Sequence, residues 1–204
     1  MAKKDNGSRS LKAYVRRKLM GQIAPIAVLE THGGSGAMYN DCYRGVPGVV
    51  IEKNQNKASS LAEQRQAWAV YEGDSEKIIK AGAGFHLPIN FVDIDPYGDP
   101  WPVIDAVFSQ AANLPDTWGL VVNDGLRRFL MLGGAWKMPR FKKYVAEVGN
   151  KEVPRIYLDI CRREIEEKAR AIGAGLDWWL CVSGGAGKQM THYAAVISRQ
   201  GGLS

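Results

Sequence analysis

Four short apolar runs punctuate the first hundred residues, and each stops abruptly at acids, glycines or proline. Ile23–Leu29 runs into Glu30, Gly48–Ile51 into Glu52, Ala67–Tyr71 into Glu72-Gly73-Asp74, and Phe91–Ile94 into Asp95-Pro96-Tyr97-Gly98. Runs this short, without steady polar alternation, suit strands covered on both faces. Ser59–Arg65 and the segment opening at Ser75 read as helices between them, and Pro102–Ala112 follows with Pro in the first turn, where a missing N–H is least harmful. Strands alternating with helices predict an α/β fold with a mostly parallel central sheet and helices on both faces.

The rest of the chain extends this plan. Trp118–Val122 reads as a further strand, and Phe129–Gly134 as a second apolar segment leading into the basic stretch Lys137–Tyr144. That stretch reads either as a solvated amphipathic helix or as cations and aromatics set to meet phosphates and bases. Tyr157–Ile172 has helical spacing with a charged face, and Leu176–Val182 and Thr191–Ser198 read as an antiparallel strand pair joined by the loop Ser183–Gln189. This loop is no phosphate loop, because Gln189 stands where Ser or Thr is needed. Residues 1–9 read as a disordered tail, and Ser10–Gly21 as a helix with one basic face, either solvated or phosphate-contacting. A basic tail and helix (1–21) therefore precede a single domain (22–200).

Composition excludes several classes. No apolar run reaches the roughly 18 residues of a membrane span, and no apolar segment follows the charged N-terminus as a secretory signal requires. Cys42, Cys161 and Cys181 are odd in number and scattered, which fits a reducing cytoplasm rather than a disulfide framework. The net charge of +6 favours a polyanionic partner.

Asp95-Pro96-Tyr97-Gly98 carries the sharpest chemistry. Pro96 ends the ladder and Gly98 permits the turn, so Asp95, the Pro96 carbonyl and the Tyr97 ring should project from a strand end. An exocyclic amine on a nucleobase is a poor nucleophile because its lone pair is shared with the ring. Two acceptors for its N–H groups favour a pyramidal nitrogen, and an aromatic ring stacked on the base aligns it with a methyl donor. A strand followed by a tight turn, with no chemistry, is the plain alternative. Asp99, Trp101 and Asn123 are candidates for the substrate side. Asp93 reads either as a second polar group of the site or as a buried structural acid, and His192 as a structural strand residue.

The turn Glu30-Thr31-His32-Gly33-Gly34-Ser35-Gly36 lacks both dinucleotide and P-loop spacing. It resembles the first motif of S-adenosylmethionine-dependent methyltransferases, which implies donor contacts from Glu30, His32, Gly33, Gly34 and Gly36. Glu52, 16 positions after Gly36 and followed by Lys53, stands close to where an acid would accept both ribose hydroxyls, roughly 20 residues past a glycine turn. Asp74 stands where such enzymes place an acceptor for the adenine amine.

Asp93-Ile94-Asp95-Pro96-Tyr97-Gly98-Asp99-Pro100-Trp101-Pro102-Val103-Ile104-Asp105-Ala106 is similar to the Asp-Leu-Asp-Pro-Phe-Gly-Ser-Pro-x-Pro-Phe-Leu-Asp-Ala segment of the tRNA guanine-N2 dimethyltransferase family. Gly119–Asp124 through Leu132–Ala135, and Ile160–Arg163 through Thr191–Val196, resemble its following segments. Tyr97 replaces the family's Phe and Asp99 its Ser. The resemblance implies a Rossmann-like class I methyltransferase fold, S-adenosyl-L-methionine as cofactor, and N-methylation of an exocyclic base amine in RNA or DNA. A small-molecule methyltransferase on the same fold and a non-catalytic nucleic-acid-binding module are the alternatives.

Overall fold

The computed structural model describes residues 8–134, 137–184 and 190–199. One seven-stranded sheet has the order β3-β2-β1-β4-β5-β7-β6. Its strands are β1 (Val28–Glu30), β2 (Gly48–Glu52), β3 (Trp68–Glu72), β4 (Phe91–Ile94), β5 (Thr117–Asp124), β6 (Ala174–Gly184) and β7 (Met190–Arg199). The first five pair in parallel, and β7 runs antiparallel to both β5 and β6. The helices are α1 (Arg9–Met20), α2 (Gln55–Gln64), α3 (Ser75–Lys80), α4 (Trp101–Ser109), α5 (Leu126–Gly133), α6 (Lys142–Val148) and α7 (Tyr157–Ala171). This is the α/β architecture the apolar runs predict. Alternate residues of β4 feed the two faces: Val92 and Ile94 join one buried cluster, Phe91 the other.

Strand order reverses between β1 and β4, the switch point at which open α/β sheets bind ligands. β1 is shorter than expected, beginning at Val28 rather than Ile23. Pro25 cannot donate to a ladder, and the Asn90 side chain clips the segment instead, accepting from Ile26 N–H at 2.7 Å and donating to the Ala24 carbonyl at 3.0 Å. β5 is longer than expected. Asn123 and Asp124 belong to the strand, because His192 and Thr191 of β7 pair with them.

The basic face of α1 differs most from expectation. Val15 and Leu19 are buried, and Arg16 is buried with them. Arg16 donates to both Asp93 oxygens, at 2.7 and 2.5 Å, and Tyr43 O–H donates to the same carboxylate at 2.7 Å. Arg9 pairs with Asp41. A cation on a helix face normally stays in water; here carboxylates on other elements draw it in. Most of the tail assigned to residues 1–9, and the hairpin tip Gly185–Gln189, lie outside the described residues.

Candidate active site

The carboxyl ends of β1 and β4 lie side by side, with Glu30 opposite Asp93 and Thr31 N–H donating to the Asp93 carbonyl at 2.9 Å. The turns Gly33–Gly36 and Asp95–Gly98 leave from these neighbouring ends, so both flank the switch point. His32 marks its centre. Burial holds this imidazole below its ordinary pKa, while the carboxylates of Asp95, Glu52, Asp93 and Asp74 are all close enough to act the other way. Its Nδ1 lies 2.7 Å from the Thr31 hydroxyl.

On the first wall, Gly33 has no room for a side chain, since a Cβ would meet Val50 and Leu61 at 2.5 Å. Gly34 and Gly36 adopt φ of 54° and 79°, the left-handed region that glycine enters freely. Glu52 accepts from Gly34 N–H and Asn54 N–H, both at 2.8 Å, which ties the glycine turn to β2. A carboxylate offers about four lone-pair positions, so Glu52 retains capacity for a further donor pair. Asp74 caps α3 by accepting from Lys77 N–H, and the exposed Lys53 reaches it at 3.7 Å. Glu30 sits differently from the expectation of a donor contact. It is buried and bonded to Arg65, whose guanidinium lies 4.4 Å from the Tyr39 ring centroid and 5.0 Å from that of Trp68. Burial pushes the Glu30 carboxyl up to about 7.

On the second wall, Lys12 Nζ bridges the two Asp95 oxygens at 2.8 and 2.9 Å, and Arg16 stands 3.7 Å away. Burial works to raise the Asp95 carboxyl, but Arg16, Lys12 and the Asn123 amide outweigh it and hold the group below the usual carboxylate value. Asp95 is therefore anionic at neutral pH. The Pro96 carbonyl accepts from Gly98 N–H at 3.1 Å, which leaves its second lone pair. Gly98 takes φ of 120°, and its carbonyl accepts from Gly125 N–H at 3.2 Å, stapling this turn to the start of α5. The Tyr97 ring is 91% exposed.

Asn123 is buried behind Asp95. His192 Nδ1 lies 2.6 Å from its Oδ1. An amide oxygen only accepts, so Nδ1 carries the proton. Among the described residues, His192 Nε2 has no hydrogen-bond partner. Burial, with help from Lys12 and Arg16, pushes His192 down to about 4, so the ring is neutral.

Trp101 is a correction. Expected on the substrate side, it is 1% exposed, turned into the core with its indole N–H 3.2 Å from the Tyr157 hydroxyl. Asp99 is exposed, and accepts from Trp101 N–H at 2.9 Å at the start of α4. Lys12 and Arg16 were not singled out from the sequence as site residues. Their i, i+4 spacing places them on one face of α1, but nothing local names their acidic partners.

No protein-family model and no curated protein sequence matches this chain. Solved structures do. The plantazolicin methyltransferase BamL, in complex with a triazolic desmethylPZN analog and S-adenosylhomocysteine, is similar at 10% identity and a TM-score of 0.59, covering 97% of this chain and 87% of its own. The N-methyltransferase NodS from Bradyrhizobium japonicum WM9, in complex with S-adenosylhomocysteine, is similar at 11% identity and a TM-score of 0.56, covering 97% and 90%. The B. subtilis M1A22 tRNA methyltransferase TrmK is similar at 12% identity and a TM-score of 0.50, covering 91% of this chain and 65% of its own. The chain has the Rossmann-like fold that these class I methyltransferases share.

Proposed function

We propose that this protein is an S-adenosylmethionine-dependent N-methyltransferase acting on the exocyclic amine of a nucleobase in nucleic acid. The observation that carries the reading is an anionic Asp95 and an exposed Tyr97 on a turn that leaves the sheet beside the glycine turn of β1. S-adenosylmethionine would supply an electrophilic methyl group on its sulfonium. The switch-point residues fit it. Gly34 leaves open space where a side chain would stand, Glu52 keeps lone pairs for a diol, and Glu52 and Asp74 favour a cation. Glu30 would act through Arg65, fixing the end of β1. On the acceptor side, Asp95 and the Pro96 carbonyl would hold the amine and Tyr97 would stack on the base. Lys12 occupies one position on each Asp95 oxygen, so an incoming amine shares the carboxylate or displaces this side chain.

The similar structures support the class of chemistry: one is called an N-methyltransferase and one a tRNA methyltransferase. Within the class, the Asp93–Ala106 segment favours guanine-N2 chemistry of the tRNA dimethyltransferase kind. A small-molecule acceptor is the second reading, favoured by the way Lys12 closes over Asp95. The test is incubation with isotope-labelled S-adenosylmethionine and separate pools of DNA and RNA, followed by nucleoside mass spectrometry. Label in an N-methylated base supports the reading. Measurable donor binding with no label in either pool moves the assignment to small acceptors.

A further inference from the structure

The chain's excess charge is not spread over it. Residues 126–155 contain eight Lys and Arg against two Glu, which equals the whole net charge of +6; the remaining residues hold 19 of each sign. The same segment carries three of the largest exposed apolar side chains. Phe129, Met131 and Leu132 on α5 are 58%, 55% and 76% exposed, while Leu126 and Leu130 of the same helix face the core. Solvent-facing apolar groups clustered on one helix face mark an interaction surface.

This face adjoins the candidate active site. A Cβ on Gly98 would lie 3.7 Å from the Phe129 ring, so that ring leans on the turn that presents the exposed Tyr97. Beyond it, a groove of about 470 Å³ runs between Met131 and Leu132 on one side and Lys151, Pro154 and Arg155 on the other. That volume falls within the roughly 300–1,000 Å³ of small-ligand sites, enough for a nucleotide unit. Glu152 pairs with Arg155 at 2.6 Å, but Arg128, Lys142 and Lys151 are exposed and make no ion pair among the described residues. Cations beside exposed aromatic and aliphatic groups are what a single strand needs, with phosphates on the charges and bases on the flat or apolar surfaces.

We infer that the outer face of α5, with the Met131–Arg155 groove, is the docking platform for the nucleic-acid strand flanking the target nucleotide. Tyr97 would stack on the target base, Phe129 and Leu132 would receive its neighbours, and Arg128 and Lys151 would meet their phosphates. The inference rests on the nucleobase reading above and adds to it where the strand lies.

The experiment measures fluorescence anisotropy of labelled 20-nucleotide single strands, mixed in sequence, as RNA and as DNA, with the full chain. Wild type, Phe129→Ser/Leu132→Ser and Arg128→Ala/Lys151→Ala are compared across a salt series. Calorimetry with S-adenosylhomocysteine and a thermal melt check that each variant keeps its fold; these side chains lie outside the core. The expected result is a roughly tenfold or greater loss of affinity for the apolar pair. The basic pair should flatten the log–log salt slope by about 1.4, at about 0.7 per phosphate contact. Wild-type binding unaltered by either pair would overturn the platform while leaving the nucleobase reading standing. Wild type that binds S-adenosylhomocysteine but neither RNA nor DNA would overturn both.

Discussion

Replacing Arg16 with methionine asks whether α1 is welded into the site or merely rests on it. Arg16 and Asp93 both have fully buried side chains, joined by two hydrogen bonds of 2.7 and 2.5 Å. Methionine fills much of the space but leaves Asp93 with only the Tyr43 hydroxyl, beside Glu30. Breaking a buried ion pair from one side costs about 3–5 kcal/mol. At about 2–4 °C per kcal/mol for a domain of this size, the melting temperature should fall by roughly 6–20 °C at pH 8. Lys80→Met, which removes the exposed pair with Glu76, should change it by less than about 2 °C. The deficit also has a pH signature. Without its guanidinium, a buried carboxylate is left without its counter-charge, so the variant's deficit should shrink at lower pH. Differential scanning fluorimetry at pH 8 and pH 5 reads both effects, and Arg16→Met/Asp93→Asn should recover part of the loss. An Arg16→Met protein melting within about 2 °C of wild type at both pH values would refute the docking of α1 over β4.

Three further outcomes follow from the same contacts. Asp95→Ala should reduce methyl transfer by on the order of 100-fold or more, with donor affinity nearly unchanged by calorimetry, because in the proposed reaction Asp95 would position the acceptor; equal loss of both would make Asp95 structural. Lys12→Met removes a cation that holds Asp95 low, so the acid limb of the pH–rate profile should move to higher pH; an unmoved limb would exclude Asp95 as the titrating group. Asp124 is buried with a carboxyl pushed up to about 7 from an ordinary 3.8. A raised acid favours folding below its unfolded pKa and loses that contribution as pH rises, here between about 4 and 7. Asp124→Asn should therefore narrow the melting-temperature difference between pH 5 and pH 8, and an unchanged difference counts against the assignment.

Local order made much of the fold legible. Runs of apolar residues that stop at an acid or a glycine mark buried strands and the points where they end. Asp-Pro-Tyr-Gly likewise dictates its own turn, and Gly98 at φ 120° occupies the backbone region for which glycine is suited. The flanking Asn-x-x-Lys and Asp-x-x-Lys spacings at Asn54 and Asp74 become helix caps for the same local reason.

What no window of sequence could contain is the choice of partner across the chain. Lys12 and Arg16 are two cations on a basic helix until Asp95 and Asp93, 83 and 77 residues away, draw them inward. Trp101, beside the motif in sequence, turns to Tyr157 because the first turn of α4 points it into the core. Glu30 ends its strand as predicted, yet Arg65, 35 residues on, claims it. The sequence determined where the first four strands end and which turns leave them. Only the tertiary structure decided which of those ends are neutralised and which stay open, because burial leaves a charge stable only where an opposite charge is folded against it.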